Sequence, residues 1–258
     1  MKCFILLAVF ILCLGVWSTF IEPNMLVVNH LTIQDEQLKG LKLVFASDFH
    51  IKQFETKRLQ KIIKTINAQN ADIVLLGGDY VNGHKKGNTL PIQEIAKHLS
   101  QIQSKYGTYA VVGNHDGWQG KEEIIFALKD NNINVLFNNN VCFEKFCVAG
   151  VDDLQTGNPD IKKALDGVNN KPVILLSHTP DIMPSVPYNV NLTIAGHLHG
   201  GQVRLKNAIT VPSAYGKKYA NGFLIDKGKK IYTSKGLGTS ILPIRFNCPP
   251  EIAVIEFE

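Results

Sequence analysis

The chain has 258 residues, 45% of them hydrophobic and 19% charged, with a formal net charge of +5 at pH 7. That length leaves room for about one ordinary domain with a substantial core beside a short N-terminal segment, and the composition is that of a globular chain. The basic excess is mild and forms no dense Lys/Arg stripe, which speaks against a nucleic-acid partner and is compatible with an anionic substrate or an anionic membrane surface.

The first element is apolar. Cys3 to Ile21 is a run of 19 residues without a charge, long enough to cross a bilayer as a helix. Residues 1–21 therefore read as a membrane anchor or signal segment, 22–40 as a polar, irregular connection and 41–258 as the catalytic domain. The anchor reading is preferred. A cleaved signal is the alternative, although its positive end holds only Lys2 and the α-amino group, and Val16-Trp17-Ser18 is a mediocre cleavage site. After the run there is no Lys or Arg until Lys39, while Glu22, Asp35 and Glu36 intervene. Positive-inside reasoning then puts the domain outside the cytoplasm; the cytoplasmic face and export after cleavage remain the alternatives.

Apolar runs follow, each ending in polar or glycine-rich residues. Leu41–Ala46 predicts a buried strand, 56–69 a helix with Leu59, Ile62, Ile63 and Ile66 on one face, and Ile73–Leu76 a second strand. Residues 91–104 predict a helix, Thr108–Val112 a third strand and 120–131 another helix. The later part is richer in strands, expected at Asn134–Phe137, Val141–Phe143, Phe146–Ala149, Val173–Ser177, Leu192–Ala195, Gln202–Leu205, Ile231–Thr233 and Ile252–Phe257. Such an order suggests layered sheets flanked by helices, with no internal repeat and no convincing linker. Cys142-Phe-Glu-Lys-Phe-Cys147 reads as a hairpin turning at Glu144-Lys145 with the cysteines opposite each other; a disulfide and two packed thiols both fit. No CxxC pair occurs, which argues against a thiolate zinc site.

Five polar clusters follow apolar strands: Asp48-x-His50, Gly78-Asp79, Gly113-Asn114-His115-Asp116, His178 and Gly196-His197-x-His199. Strand ends are where open α/β sheets place ligands. Carboxylate, imidazole and amide oxygen together suit Mn, Fe, Zn or Ni, and the adjacent glycines let the backbone come close. Each motif alone is common; the ordered set is specific, and it resembles the calcineurin-like metallophosphoesterases over roughly residues 41–257. That resemblance implies a four-layer α/β/β/α sandwich and a binuclear centre of two divalent ions. Asp48, His50, Asp79 and His199 would hold one ion, and Asp79, Asn114, His178 and His197 the other. It further implies a phosphoester hydrolase, a phosphodiesterase or phosphatase working by in-line attack of a metal-activated hydroxide on phosphorus. His115 would be the catalytic acid that protonates the leaving oxygen.

In many relatives an Asp orients that histidine; this chain has Asn82 at the matching place, which could position the ring but not stabilise its charge, so either Asp116 takes that part or His115 is less basic. The stretch Gly236-Leu237-Gly238-Thr239 with Leu242-Pro243-Ile244-Arg245-Phe246-Asn247-Cys248-Pro249-Pro250-Glu251, together with Glu22-Pro23-Asn24, resembles the bacterial membrane-anchored or exported branch, the YaeI/YkuE type. Arg245 could offer a bidentate grip on substrate phosphate or pair with Glu251. The expected partners are a phosphate ester, lipid-linked in one version, and the membrane through residues 3–21. A pyrophosphatase for a lipid precursor of the UDP-2,3-diacylglucosamine type is one alternative and a non-catalytic metal-binding scaffold another. His30, His84 and His98 fall outside the motifs and are expected to be solvated; Asp152-Asp153 at a strand end could edge the site or cap a loop.

Overall fold

The computed structural model describes residues 2–205 and 209–258. It contains two six-stranded sheets. The strands of the first are β1 (Val27–Ile33), β2 (Lys42–Ala46), β3 (Ile73–Leu76), β4 (Thr108–Ala110), β5 (Asn134–Val135) and β12 (Glu251–Phe257), in the order β1-β12-β2-β3-β4-β5. The second sheet runs β10 (Gly222–Asp226), β11 (Lys229–Thr233), β9 (Leu192–Ala195), β8 (Val173–Leu176), β7 (Cys147–Gly150) and β6 (Asn139–Cys142). Within each sheet the central strands β2-β3-β4 and β7-β8-β9 are parallel.

Strand periodicity explains why the central strands read as unbroken apolar runs. Successive side chains alternate faces, and both faces are covered. Leu43, Phe45, Ile73 and Leu75 point to the interface between the sheets, where they pack with Ile174, Leu176, Leu192 and Ile194. Val44, Ala46, Val74 and Leu76 point the other way, onto a core with the helices α2 (Thr56–Asn67), α3 (Ile92–Leu99) and α4 (Asn114–Asp130). Val173 and Leu175 face a third core under the one-turn helix α5 (Ile161–Ala164) and the 3-10 segment Pro180–Ser185. These three apolar layers make the expected α/β/β/α sandwich, with a thin outer layer on the second sheet.

Several expectations are corrected. Residues 27–33, taken as irregular connection, form β1, an edge strand parallel to β12. The strand expected at Gln202–Leu205 is an irregular segment with an isolated bridge from Val203 to Phe246. The helix expected at 120–131 begins at Asn114 and kinks at Gly120, so the Asn114-His115-Asp116 motif occupies its first turn. The β10 strand was not anticipated. The cysteine hairpin is as read: Cys142 pairs with Cys147 across β6 and β7, and the two form a disulfide.

Ahead of the sheets, α1 (Lys2–Val16) continues through a π-turn (Trp17–Ile21) and a 3-10 turn (Glu22–Asn24). It is the one helix among the described residues that is long and apolar enough to cross a membrane, and none of its apolar stretch is buried.

Candidate metal centre and active site

The carboxyl ends of β2, β3, β4, β8 and β9 lead directly into the five polar clusters. Asp48, His50, Asp79, His197 and His199 all have positive φ, between 41° and 70°. For residues other than glycine this left-handed conformation costs about 1–3 kcal/mol each and persists where the surroundings enforce it. The turn lets Asp48 and His50, and likewise His197 and His199, aim into one small volume instead of continuing their strands. Two glycines make the space. A Cβ on Gly113 would collide with Asp79 and sit 2.6 Å from His178 Cε1, and one on Gly196 would run into Ser47 and Asp48.

All seven side chains expected as ligands are buried, and the structure brings them together. Among the described residues, the sets Asp48–His50–His199, His50–Asp79–His115 and Asp79–His178–His197 each bring ligand atoms within 4.8 Å of one another. His50 Nε2 and His199 Nε2 face each other at 3.1 Å, and Asp48 Oδ1 lies 3.5 Å from His199 Nε2. On the other side His178 Nε2 is 2.9 Å from Asn114 Oδ1 and 3.2 Å from His197 Nδ1. Asp79 stands between them. Its Oδ1 is fixed by the amide of His115 at 2.8 Å, while Oδ2 lies 3.5 Å from His50 Nε2 and 3.4 Å from His178 Nε2.

The donor chemistry fits metal ions. His178 Nδ1 donates to the Gly77 carbonyl at 2.7 Å, so in the neutral ring Nε2 carries a lone pair. That lone pair faces an amide oxygen and a carboxylate, an arrangement that needs a cation. Donors bound about 2.1 Å from one ion sit roughly 3.0–3.4 Å apart, close to the separations found. Burial opposes charge on His178, but the Asp79 carboxylate outweighs it and holds the ring well above its ordinary range. Burial likewise resists ionising Asp79, yet the neighbouring His178 and His50 keep its carboxyl well below the usual range. Burial pushes His50 down to about 3 and His197 down to about 4, and holds His199 well below its ordinary value; all three are neutral, the form that ligates. Burial also pushes Asp48 up to about 6.

His115 lies beside this cluster, edge-on to the His50 ring at 4.6 Å. Its Nδ1 donates to the Gly83 carbonyl at 2.9 Å, which leaves Nε2 turned to the cleft, 3.4 Å from Ser240 Oγ. Gln119 Nε2 donates to the same carbonyl at 2.7 Å and steadies it. Neither expected orienter is used. Asp116 spends its carboxylate on the amides of Asp79, Tyr80 and Gly113 at 2.7–2.9 Å, and the Asn82 side chain donates to Asn88 O. Arg245 is also corrected. It is fully buried, and its guanidinium donates to the carbonyls of Lys235, Gly236, Gly238 and Cys248. Glu251 pairs instead with Lys235 at 3.0 Å. Arg245 is thus a tie inside the C-terminal loop and offers nothing to a substrate.

Some participants were missed. His84 is exposed, as expected, but stands on the cleft rim with Trp118, and both pack on the His115 ring at 4.9–5.0 Å between centroids. Gln155 meets His197 Nε2 at 3.0 Å. The Asp152-Asp153 pair caps a loop: Asp153 accepts from the amides of Gln155 and Thr156 at 2.7–3.0 Å and so shapes the turn that presents Gln155. The cleft itself has a volume of about 240 Å³ and reaches from Asp79 and His197 to Trp118 and Ile241.

A model of the calcineurin-like phosphoesterase family matches residues 41–201. The chain belongs to that family and is a phosphoester hydrolase. It is 31% identical over 254 residues to the uncharacterized metallophosphoesterase YkuE of Bacillus subtilis, covering 92% of this chain and 87% of that protein. Phosphodiesterase YaeI of Escherichia coli is 31% identical over 252 residues, with 92% of this chain and 90% of YaeI covered. A transmembrane protein with metallophosphoesterase domain from Danio rerio is 27% identical over 241 residues, covering 85% of this chain and 54% of that protein.

Proposed function

We propose that the chain is a binuclear metal-dependent phosphodiesterase or phosphatase that works at a membrane surface. Asp48, His50, Asp79 and His199 hold one divalent ion; Asp79, Asn114, His178 and His197 hold the second. The observation that carries this reading is the position of Asp79 Oδ2, 3.5 Å from a nitrogen of one cluster and 3.4 Å from a nitrogen of the other, where one carboxylate can serve both ions. Divalent ions there would polarise the phosphoryl group and lower the pKa of a water. The chain's own contributions are separable from that. The left-handed turns preset Asp48, His50, Asp79, His197 and His199, burial keeps the His50, His197 and His199 rings neutral, and the His115 amide fixes Asp79. The Gly83 carbonyl fixes the His115 ring with Nε2 towards the cleft, where it gives a proton to the departing oxygen.

The test is removal and return of metal. Chelated protein should lose hydrolysis of a panel of mono- and diesters and regain it with Mn, Fe, Zn or Ni, with two ions per chain in the active form. Undiminished turnover in metal-free protein, or full activity at one ion per chain, defeats the binuclear reading.

A membrane-borne ester is favoured among substrates. A separate groove runs from His50 to Thr19, Phe20 and Pro23 at the base of the apolar helix, so a phosphate carried by a lipid could approach the metal cluster from the His50 side. The Cys142–Cys147 disulfide supports a domain outside the cytoplasm, since such bonds persist in oxidising compartments. Protease added to sealed cells should then digest the domain; protection until lysis would place it inside.

A further inference from the structure

The foot of the N-terminal helix is built into the catalytic domain. Glu22 is buried, with 4% exposure. It accepts from Trp17 Nε1 at 2.8 Å and from the amide of Cys248. The amide of Arg245 donates to Ser18 O at 2.9 Å. These contacts fix the domain's orientation on the helix. A helix rising about 1.5 Å per residue from Lys2 covers the roughly 30 Å hydrocarbon core by about residue 21. Residues 22–25, and whatever packs beside them, then lie at headgroup level.

Two features surround that foot. The first is basic: α2 presents Lys57, Lys61 and Lys64 on its exposed face. Lys57 and Lys61 line a cavity with Pro23 and Asn24, and Lys61 Nζ is 3.3 Å from Asn24 O. Among the described residues none of these three lysines has a carboxylate partner, whereas Arg58 between them is paired with Glu55. The second is apolar. Ile241 is 91% exposed and Leu242 57% exposed, in a loop whose Pro243 shares the groove with Thr19 and Phe20. Ile241 has φ of 62°, a strained state for a β-branched residue. Gln202 enforces it, donating to Ser240 O at 3.0 Å and Leu242 O at 3.2 Å while accepting from the Ser240 amide. The loop is thus held open with its apolar tip outward.

We propose that this face is a docking surface for the anionic bilayer that the helix crosses, with Lys57 and Lys61 on lipid phosphates and the Ile241-Leu242 tip in the interface. Continuity with the apolar helix and the unpaired positive charge select a bilayer as occupant; each lysine near an anionic surface favours the docked state about fivefold. Docking holds the groove between His50 and the helix foot against the membrane, because Thr239 and Pro243 of the loop line that groove.

The inference rests on residues 2–24 staying as an anchor. Full-length protein would be placed in bilayer discs of zwitterionic lipid and of zwitterionic lipid mixed with anionic lipid. An amine-reactive label would report on Lys57 and Lys61, and amide exchange on residues 239–244. Anionic discs should slow labelling of both lysines and exchange of the loop about tenfold or more, and Lys57→Glu with Lys61→Glu should abolish the difference. Inorganic phosphate added to zwitterionic discs should give no loop protection. Identical footprints in both lipids, or protection that follows protein concentration and so reports a second copy, overturn the proposal. Release of the chain from membranes by an alkaline wash shows instead that the anchor reading has failed, and the docking face falls with it. Loss of ester hydrolysis alone bears only on the catalytic reading.

Discussion

The two halves of the donor cluster use the same ligand types but are braced differently. Around Asn114, His178 and His197 each ring has an outer neighbour: Gly77 O accepts from His178 Nδ1, and the Gln155 amide lies 3.0 Å from His197 Nε2, where its oxygen, with the amide turned, accepts the ring N–H. Around Asp48, His50 and His199 the rings stack on each other at 4.9 Å, and both Nδ1 atoms are buried without a hydrogen-bond partner. Outer partners fix the tautomer and raise ligand basicity, and their loss typically costs 10–100-fold in metal affinity. The comparison teaches that equivalent residue types do not give equivalent surroundings: the Asn114 half is braced from outside, and the His50 half would depend on a bound ion to be ordered.

The largest expected effect comes from removing what the halves share. Asp79→Asn should lower metal content well below two per chain and cut turnover by roughly three orders of magnitude or more; two retained ions with normal rate would show that Asp79 does not bridge. Next, His115→Ala should keep both ions and lose about 10²–10⁴-fold on esters with poor leaving groups. An activated aryl ester should suffer much less, and an equal loss on both would remove His115 from the proton step. Gly196→Ala sharpens the contrast, because its methyl group would press on Asp48. It should empty the weaker half first and leave about one ion per chain by metal analysis. The smallest effect is expected from Gln155→Ala: about tenfold weaker binding in the Asn114 half, with the other ion unaffected. If titration shows both ions weakened alike, the bracing argument fails.

Much of this was legible in the sequence, for a physical reason. Strands covered on both faces are written as unbroken apolar runs, so the polar residues after Ala46, Leu76, Ala110, Leu176 and Ala195 stand out as strand-end clusters. The illegible parts have no side-chain signature. Gly83 and Gly77 act through carbonyls, which any residue carries. Gln155 becomes relevant only because Asp153 shapes its turn. β1 was missed because an edge strand with Asn29, His30 and Thr32 lacks the apolar run of a central one. The stretch 202–205 was over-read because Val203 and Leu205 alternate with polar residues without a neighbouring strand to pair with. Arg245 was misread because a guanidinium that spans four carbonyls cannot be distinguished by sequence from one waiting for phosphate.

The buried Glu22 has a practical consequence for anyone producing the protein in soluble form. Cutting after the apolar run would remove Trp17 and Ser18, and cutting a few residues later would remove Glu22 as well. The amides of Arg245 and Cys248 would lose their acceptors. They belong to the same C-terminal loop whose Gly238 packs on His50. A truncation chosen only to discard the greasy segment would therefore reach the active site. A better starting point keeps Trp17 onward and replaces its exposed apolar neighbours with polar residues.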